Sequence, residues 1–262
     1  MPFKIEKDAE PQFNLLLAAT AISLLIWLIS LFFPFFGYLL YPLRLFATFV
    51  HEGGHAIAGI ISGSDVSSLT VSPDGSGEVY SIGTGGFSAL LVSSAGYLGT
   101  TAFGTLLLFL IRFGFSARKT LYFCGGLVFA LTVFFGFLAP IRHLFNTVTI
   151  GGFFFTVFSG LVISGILLSI AKYARSTVVN FTIAFITVQM LLNATFDLIN
   201  VFFISTTTNM HSDAANMAAA TGIPAFIWVL IWIALSVVMI SLGLRIYVIR
   251  KNQLSDRLYK DL

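Results

Sequence analysis

Long apolar runs separated by short polar connections dominate the chain, and about seven of these runs approach the length of a membrane-spanning helix. A helix needs about 20 predominantly apolar residues to cross the hydrocarbon core of a bilayer. The pattern therefore predicts an all-α polytopic membrane protein with about six to seven transmembrane helices, organised as a single integral-membrane domain over residues 1–262. The runs occupy residues 13–35, 40–62, 88–111, 117–139, 147–171, 178–204 and 223–247.

Only two of the connections are long enough to form structure of their own. Residues 63–87 carry β-branched side chains on both sides of the turn-forming sequence Pro73-Asp74-Gly75, which predicts a short β-hairpin after the second helix. In residues 205–224, Ser212 and Asp213 come directly before an Ala-rich stretch, as at the start of a helix. We therefore expect Asp213 to be a helix N-cap.

Composition supports a membrane location, since 57% of the residues are hydrophobic and 10% are charged, against about 25% charged residues in soluble domains. The net charge of +3 does not arise from one patch. Basic residues flank the apolar runs instead, so nucleic-acid binding is not expected.

Cys124 is the only cysteine, which excludes an intrachain disulfide or thiolate cluster. The run that begins at Phe13 is too long for a cleavable signal peptide and is expected to remain as a span.

The distribution of lysine and arginine predicts the orientation in the membrane, because short cytoplasmic loops carry an excess of positive charge. Neither long connection contains a basic residue, which places both on the non-cytoplasmic face and the C-terminus in the cytoplasm. The side of the N-terminus stays open, because Lys4 and Lys7 are balanced by three nearby carboxylates. The basic residues that alternate as the rule requires are Arg112, Arg118, Lys119, Lys172, Arg175, Arg245, Arg250, Lys251, Arg257 and Lys260.

The second run contains the sequence His51-Glu52-Gly53-Gly54-His55. On a helix, two histidines four residues apart lie one turn apart on the same face, where both imidazoles can bind one zinc ion. Glu52, beside the first ligand, is then placed to act as the general base on water. Ionisable residues within a membrane helix are costly to desolvate, by about 2.5–3.5 kcal/mol for a central charge, and are by default functional. The motif therefore predicts a catalytic metal site.

A catalytic zinc usually has three protein ligands, and Asp197 is the sequence's favoured third ligand. Gln189, Asn193, Asp197 and Asn200 form one polar stripe on the otherwise apolar sixth run. If runs two and six both end at the non-cytoplasmic face, Asp197 lies at the same depth as the two histidines, roughly 10–16 Å below it. For Gln189 and Asn200, a hydrogen-bonded seam between helices is an equally good interpretation.

Three other residues offer alternative ligands. Asp213 is left open as the third ligand, although the same depth argument places it above the site. His143, beside Arg142, and His211, in a polar connection, are expected to be solvated loop residues.

At these positions the sequence resembles the site-two protease family of intramembrane zinc metalloproteases, most closely its small relatives that lack a PDZ domain. HEGGHAIAG at 51–59 is similar to the family's metal-binding helix, and VSSLTVSPDGSGEVYS at 66–81 is similar to the β-element that follows it. Similar stretches are AGYLG at 95–99 and SDAANMAAATGIPAFIW at 212–228. The family's later Leu-Asp-Gly motif is represented only by Phe196-Asp197-Leu198, without the glycine.

The resemblance implies hydrolysis of peptide bonds within or near the transmembrane segments of membrane-protein substrates. It implies a zinc ion held by His51, His55 and Asp197, with Glu52 as the base. The partners expected are a membrane-protein substrate and the lipid bilayer. The hairpin is expected to receive an unwound substrate segment by strand addition.

Two other functions are also compatible with these residues. A catalytically silent relative that binds or regulates other membrane proteins is the main alternative. An ion transporter is a further possibility, because intramembrane His, Asp and Asn residues also mark ion pathways. Transporters, however, typically show inverted repeats or paired broken helices, and the sequence shows neither.

Overall fold

The computed structural model describes residues 10–83, 85–207 and 212–248. Within them the chain forms nine α-helices and one two-stranded sheet. A 3₁₀ turn over Pro34–Leu39 joins the first two helices, and the fourth helix continues through a π-helical segment, Thr132–Leu138, into α5. The helices are α1 (Glu10–Phe32), α2 (Tyr41–Ile61), α3 (Phe87–Arg112), α4 (Ala117–Leu131), α5 (Ala139–Arg142), α6 (Ile150–Tyr173), α7 (Ser176–Thr207), α8 (Asp213–Thr221) and α9 (Ala225–Val248).

Six helical segments in the described part of the chain are long and apolar enough to cross a membrane. They are α1, α3, the continuous helix from α4 to α5, α6, α7 and α9. This confirms the prediction of a polytopic helical membrane protein with six to seven spans. The remaining long helix, α2, is less apolar because Arg44, Glu52 and the two motif histidines interrupt its hydrophobic sequence.

Helix α2 lies at the centre of the fold, where it packs against α3, α4, α6, α7 and both strands. Its inner face is apolar, and Phe46 and Phe49 are almost completely buried together with Leu69 of the hairpin and Leu121 of α4. Large apolar side chains on the outer helices stay exposed, among them Phe32 and Phe154. This distribution fits lipid outside and a polar site on the remaining face of α2.

The predicted hairpin is present, with β1 (Asp65–Val71) antiparallel to β2 (Gly77–Ile82) and Leu69 opposite Val79. It folds back along α2. The Tyr41 hydroxyl donates to the carbonyl of Pro73 at 2.6 Å, and the Thr48 hydroxyl donates to that of Gly75 at 2.8 Å. The turn therefore lies beside the N-terminal part of α2, while the hairpin begins beyond the helix's C-terminal end. The membrane face on which residues 63–87 lie stays a prediction.

The two strands have different environments. Leu69 and Val71 of β1 are fully buried, and the Val71 N–H donates to the hydroxyl of Thr156 in α6 at 2.8 Å. The residues of β2 alternate between exposed and partly buried, and in the described residues β2 pairs with no strand other than β1. One edge of β2 is therefore open.

Helix α8 is short, and its start is defined by Ser212 rather than by Asp213. The Ser212 hydroxyl accepts a hydrogen bond from the Ala215 N–H at 3.2 Å, so Ser212 is the N-cap and the expectation for Asp213 is wrong. Ala214 and Met217 bury the apolar side of α8 against Trp232 of α9. Because this packing fixes α8, the Asp213 carboxylate on its first turn takes a defined position.

Candidate metal centre

Three side chains with metal-binding atoms meet on the polar face of α2. The Asp213 Oδ2 atom lies 3.5 Å from His51 Nε2 and 3.2 Å from His55 Nε2. All three ligand atoms lie within 4.8 Å of one another. Donor atoms about 2.0–2.1 Å from a tetrahedral zinc lie about 3.3 Å apart, so this donor set fits such an ion.

The tautomer of His55 also suits a metal ligand. Its Nδ1 atom lies 2.7 Å from the carbonyl oxygen of Val92, and since that oxygen can only accept, Nδ1 carries the proton and donates it. The lone pair is left on Nε2, the atom that faces Asp213. Metal-binding histidines commonly make this kind of hydrogen bond, because it fixes both the tautomer and the ring orientation.

A glycine on α3 makes room for both imidazoles. A Cβ atom at Gly96 would lie 2.3 Å from the Nε2 atoms of both His51 and His55. At Gly54 it would lie 2.4 Å from the carbonyl oxygen of Ala95. The backbones of α2 and α3 therefore approach each other closely beside the histidines, and any side chain at residue 96 would occupy the space between the two nitrogens.

The His51 ring is held by an aromatic stack. The Tyr97 ring meets it edge to face with centroids 4.7 Å apart and stacks on Trp232 at 5.2 Å. The Trp232 indole N–H donates to the Ser94 hydroxyl at 3.1 Å, which orients the indole. Contacts of this kind restrict the rotation of an imidazole and so preorganise a metal ligand.

Glu52 lies beside the three ligands and is 4% exposed. A Cβ at Gly77, the first residue of β2, would lie 2.5 Å from Glu52 Oε1, so the backbone of the strand passes directly beside this carboxylate. The site opens into a cavity of about 990 Å³ between α2, β2, α3, α7 and α8. A buried carboxylate therefore stands between the metal-binding atoms and the open strand.

The ionisation of Asp213 is consistent with a role as ligand. Burial raises the pKa of its carboxyl, but the His55 and His51 imidazoles, when they are protonated, outweigh that effect and hold the pKa below its ordinary value. The carboxylate form, which is the form that binds metal ions, is thereby stabilised.

Asp197 is the residue that the sequence favoured as the third ligand. It lines the same cavity together with Asn193 and Asn200, but it is not among the residues whose ligand atoms come together. The depth argument that placed Asp213 above the site is wrong, because α8 contacts α3 and α7 and its first residue, Asp213, reaches the histidines. Whether Asp197 binds metal stays a prediction.

The remaining polar candidates lie elsewhere. Gln189 donates to the hydroxyl of Ser23 in α1 at 2.7 Å, so this part of the polar stripe is an interhelical seam. His143 lies 3.3 Å from Asp65 and does not line the cavity. His211 lies outside the described residues.

Nothing in the sequence indicates the contributions of Gly96 and Tyr97, whereas Asp213 was left open there as an alternative third ligand. The first two lie in AGYLG at 95–99, whose small residues indicated close helix packing but not its position beside the histidines. For Asp213, the start of a helix was predicted, but nothing in the sequence indicates that the short helix turns toward α2.

Comparison with known proteins gives a family for the chain. A family model described as Peptidase M50B-like matches residues 17–243, which include α2, the hairpin, α7 and α8. No curated protein and no solved structure matches the chain.

Proposed function

The chain belongs to the Peptidase M50B-like family, and from this membership and the geometry of its site we propose that it is a zinc-dependent membrane endopeptidase. Its substrates are membrane proteins, cleaved within or near a transmembrane segment. The observation that carries this proposal is the convergence of His51 Nε2, His55 Nε2 and Asp213 Oδ2 beside the buried carboxylate of Glu52.

In this proposal His51, His55 and Asp213 hold the zinc, so Asp213 replaces the Asp197 favoured by the sequence. Two imidazoles and a carboxylate are a ligand set of catalytic zinc sites, in which a further position stays open. Zinc, when bound, supplies a Lewis acid that activates water and polarises the peptide carbonyl. Asp197 remains in the cavity wall with Asn193, where it can hydrogen-bond the substrate backbone.

Glu52 moves the proton in the proposed reaction. Its carboxylate accepts a proton from the attacking water and delivers it to the nitrogen of the departing amine, which completes peptide hydrolysis. Burial of Glu52 at 4% exposure suits this role, because a desolvated carboxylate is a stronger base. Neither a silent relative nor a transporter needs a general base at this position.

Exchange of Glu52 for glutamine tests the proposed reaction. We expect Glu52→Gln to retain zinc, because none of the three ligands is altered, and to lose at least about 100-fold in cleavage rate. The measurement combines zinc content by mass spectrometry with cleavage of a candidate membrane substrate. Removal of zinc from the wild type with a chelator should also stop cleavage, and zinc should restore it.

Full activity in Glu52→Gln would exclude the proposed mechanism. Bound zinc without cleavage of any membrane substrate by the wild type would instead favour the catalytically silent binding function. The matched control is Glu78→Gln, since Glu78 lines the same cavity from β2 but lies outside the ligand cluster.

The substrate must reach the site in extended form, because the backbone of a transmembrane helix is hydrogen-bonded internally and protected from attack. Strand β2 offers an open edge along the cavity, and its first residue contacts Glu52. We propose that an unwound substrate segment pairs with this edge. The peptide bond beside Gly77 is then the one presented to Glu52.

Proline substitution in β2 tests this pairing. Backbone N–H groups of successive strand residues point to opposite edges, so either Val79 or Tyr80 donates toward the cavity. Proline removes that donor and is tolerated at an open edge. Of Val79→Pro and Tyr80→Pro, we expect one to lower the cleavage rate at least about 10-fold. That variant should keep its zinc and its thermal stability. Unchanged turnover in every folded proline variant would exclude strand addition.

Positions in β1 do not provide this test. Leu69 and Val71 are fully buried in the core, so proline there would disrupt packing and the bond from Val71 to Thr156.

We also propose that the C-terminus lies in the cytoplasm. The support is the arrangement of basic residues around the connections after α3 and α6, for example Arg118 in the first turn of α4 and Arg175 between α6 and α7. The tail itself lies outside the described residues. Labelling of a cysteine introduced after residue 250, in intact cells against permeabilised cells, measures its side.

A further inference from the structure

A single cationic side chain, Arg44, faces the catalytic cavity from α2. It lies seven residues before His51, and therefore on the same side of the helix. It lines the main cavity and also a second one of about 440 Å³ between α1, α7 and the hairpin turn. Among the described residues, no other lysine or arginine lines either cavity.

The guanidinium of Arg44 is supported by backbone rather than by a carboxylate. Gly75 has φ +85°, and a Cβ there would lie 2.7 Å from Arg44 Nε, so the hairpin turn packs closely against the side chain. No carboxylate in the described part of the chain lies within 4.0 Å of its nitrogens. The charges of Asp74 and Asp197 act on it only from a greater distance.

The chemistry of the Arg44 side chain indicates what it can bind. Its guanidinium stays charged at every physiological pH, and its planar set of donors matches a carboxylate. A charge among membrane helices normally pairs with a protein group or marks a ligand pathway. Arg44 has no carboxylate partner among the described residues, and its exposed side chain lines both cavities, so its hydrogen-bonding capacity is available to a bound molecule.

The spacing between Arg44 and Glu52 determines where a carboxylate bound to Arg44 would lie relative to the cleaved bond. Along α2 they are eight residues apart, which is about 12 Å of helix rise. Along the hairpin the corresponding contacts are Gly75 and Gly77, about 7 Å apart in an extended chain. A strand paired with β2 would therefore pass Arg44 two to four residues away from the bond beside Glu52, at about 3.3 Å per residue.

We propose that Arg44 forms a specificity subsite for a substrate carboxylate two to four residues from the scissile bond. The carboxylate comes either from an Asp or Glu side chain or from the C-terminus of the substrate. The inference rests on the proposed peptidase function, to which it adds a sequence preference. Apolar segments of otherwise similar composition are thereby distinguished by one acidic group.

The test measures binding without requiring catalysis. Full-length Glu52→Gln protein in neutral-lipid nanodiscs is titrated with fluorescent transmembrane peptides of Leu and Ala that have a flexible Gly-Ser centre. In the first series a single Glu occupies successive positions of that centre, and in the second series Gln occupies the same positions. In the third series the peptide ends close to the Gly-Ser centre, with either a free or an amidated C-terminus. At its best position, Glu should bind about 10-fold more tightly than Gln.

The double variant Glu52→Gln/Arg44→Gln should lose this preference. The variant with Arg44→Glu should prefer a Lys peptide instead. The matched control is Arg175→Gln, since Arg175 lies in the connection between α6 and α7 and lines neither cavity. The subsite would be excluded if the Arg44→Gln variant still bound the Glu peptide more tightly than the Gln peptide. It would also be excluded if Glu bound no more tightly than Gln at any position of the peptide.

Cleavage by the wild type then separates this inference from the proposed function. Mass spectrometry of the products should place the cut two to four residues from the preferred Glu, and Arg44→Gln should equalise cleavage of the Glu and Gln peptides. Arg44-dependent binding without any cleavage contradicts the peptidase function and leaves the carboxylate site intact. Cleavage at a fixed distance from Glu in both the wild type and Arg44→Gln contradicts the subsite alone.

Discussion

Purified Asp213→Ala is expected to lose its bound zinc, whereas Asp197→Ala is expected to keep it. Asp213 Oδ2 lies 3.2 Å and 3.5 Å from the two imidazole Nε2 atoms. Asp197 only lines the cavity and is absent from this cluster. Loss of a hydrogen-bond partner of a metal ligand typically lowers affinity 10–100-fold, and loss of a ligand itself should exceed that. Cleavage should then fall below detection.

The measurement is zinc content after dialysis against a weak chelator, with Asn substitutions run beside the Ala substitutions at both positions. Asp213→Asn keeps the size of the side chain and tests the charge alone. Thermal melting separates loss of metal from loss of fold, because the apolar side of α8 still packs through Ala214 and Met217. Zinc retained in Asp213→Ala but lost in Asp197→Ala would restore the ligand set that the sequence favoured.

The position of the Asp197 carboxylate is easier to predict from the sequence than that of Asp213. The depth of Asp197 can be calculated along a continuous helix, since α7 extends from Ser176 to Thr207 at a constant rise per residue. The position of Asp213 depends on how a polar connection folds over the top of the helices. The path of this connection is determined by tertiary contacts of α8 with α3 and α9. No periodic pattern in the sequence indicates these contacts.

Membrane helices were predictable for a simple reason. The hydrocarbon core imposes both a length and a composition on every span, and six segments meet these conditions in the described residues. The exception is α2, where the residues that carry the chemistry, including His51 and His55, reduce its hydropathy. Its central position among the other helices and the strands supplies the burial that lipid supplies to the rest.

The sequence predicted the presence of the hairpin but not the direction in which it packs. Its turn sequence and β-branched residues define two antiparallel strands, but they carry no information about the helix on which the strands pack. The hydrogen bonds from Tyr41 and Thr48 to the turn carbonyls fold it back along α2. This orientation brings the open strand, Arg44 and Glu52 to one cavity, and it creates the arrangement on which the substrate proposals depend.

Exchange of Gly96 for alanine is expected to disable the metal site, although it alters no ligand. The new Cβ would lie 2.3 Å from the Nε2 atoms of His51 and His55, whereas ordinary contacts begin at 3.4 Å. The imidazoles or α3 must therefore move by about 1 Å. Helix α3 has little freedom to move apart without separating its close contact with Gly54. We expect zinc affinity to fall at least about 10-fold, with cleavage falling in parallel.

Gly99→Ala is the matched control for this change. Residue 99 lies one turn further along α3, and a Cβ there would meet only the Gly54 Cα at an ordinary 3.7 Å. Both substitutions replace glycine within the same helix, so both gain up to about 1 kcal/mol in helix propensity. A difference between them in zinc content therefore reports the collision with the histidines.

Cobalt substitution provides the most direct measurement, because the visible absorption of Co²⁺ depends on the number and geometry of its ligands. Gly99→Ala should give the spectrum and affinity of the wild type, while Gly96→Ala should give a weakened or altered spectrum in protein that still melts cooperatively. Wild-type cobalt binding in Gly96→Ala would show that the imidazoles do not use the space above this glycine. The position proposed for the metal, between α2, α3 and α8, would then be wrong.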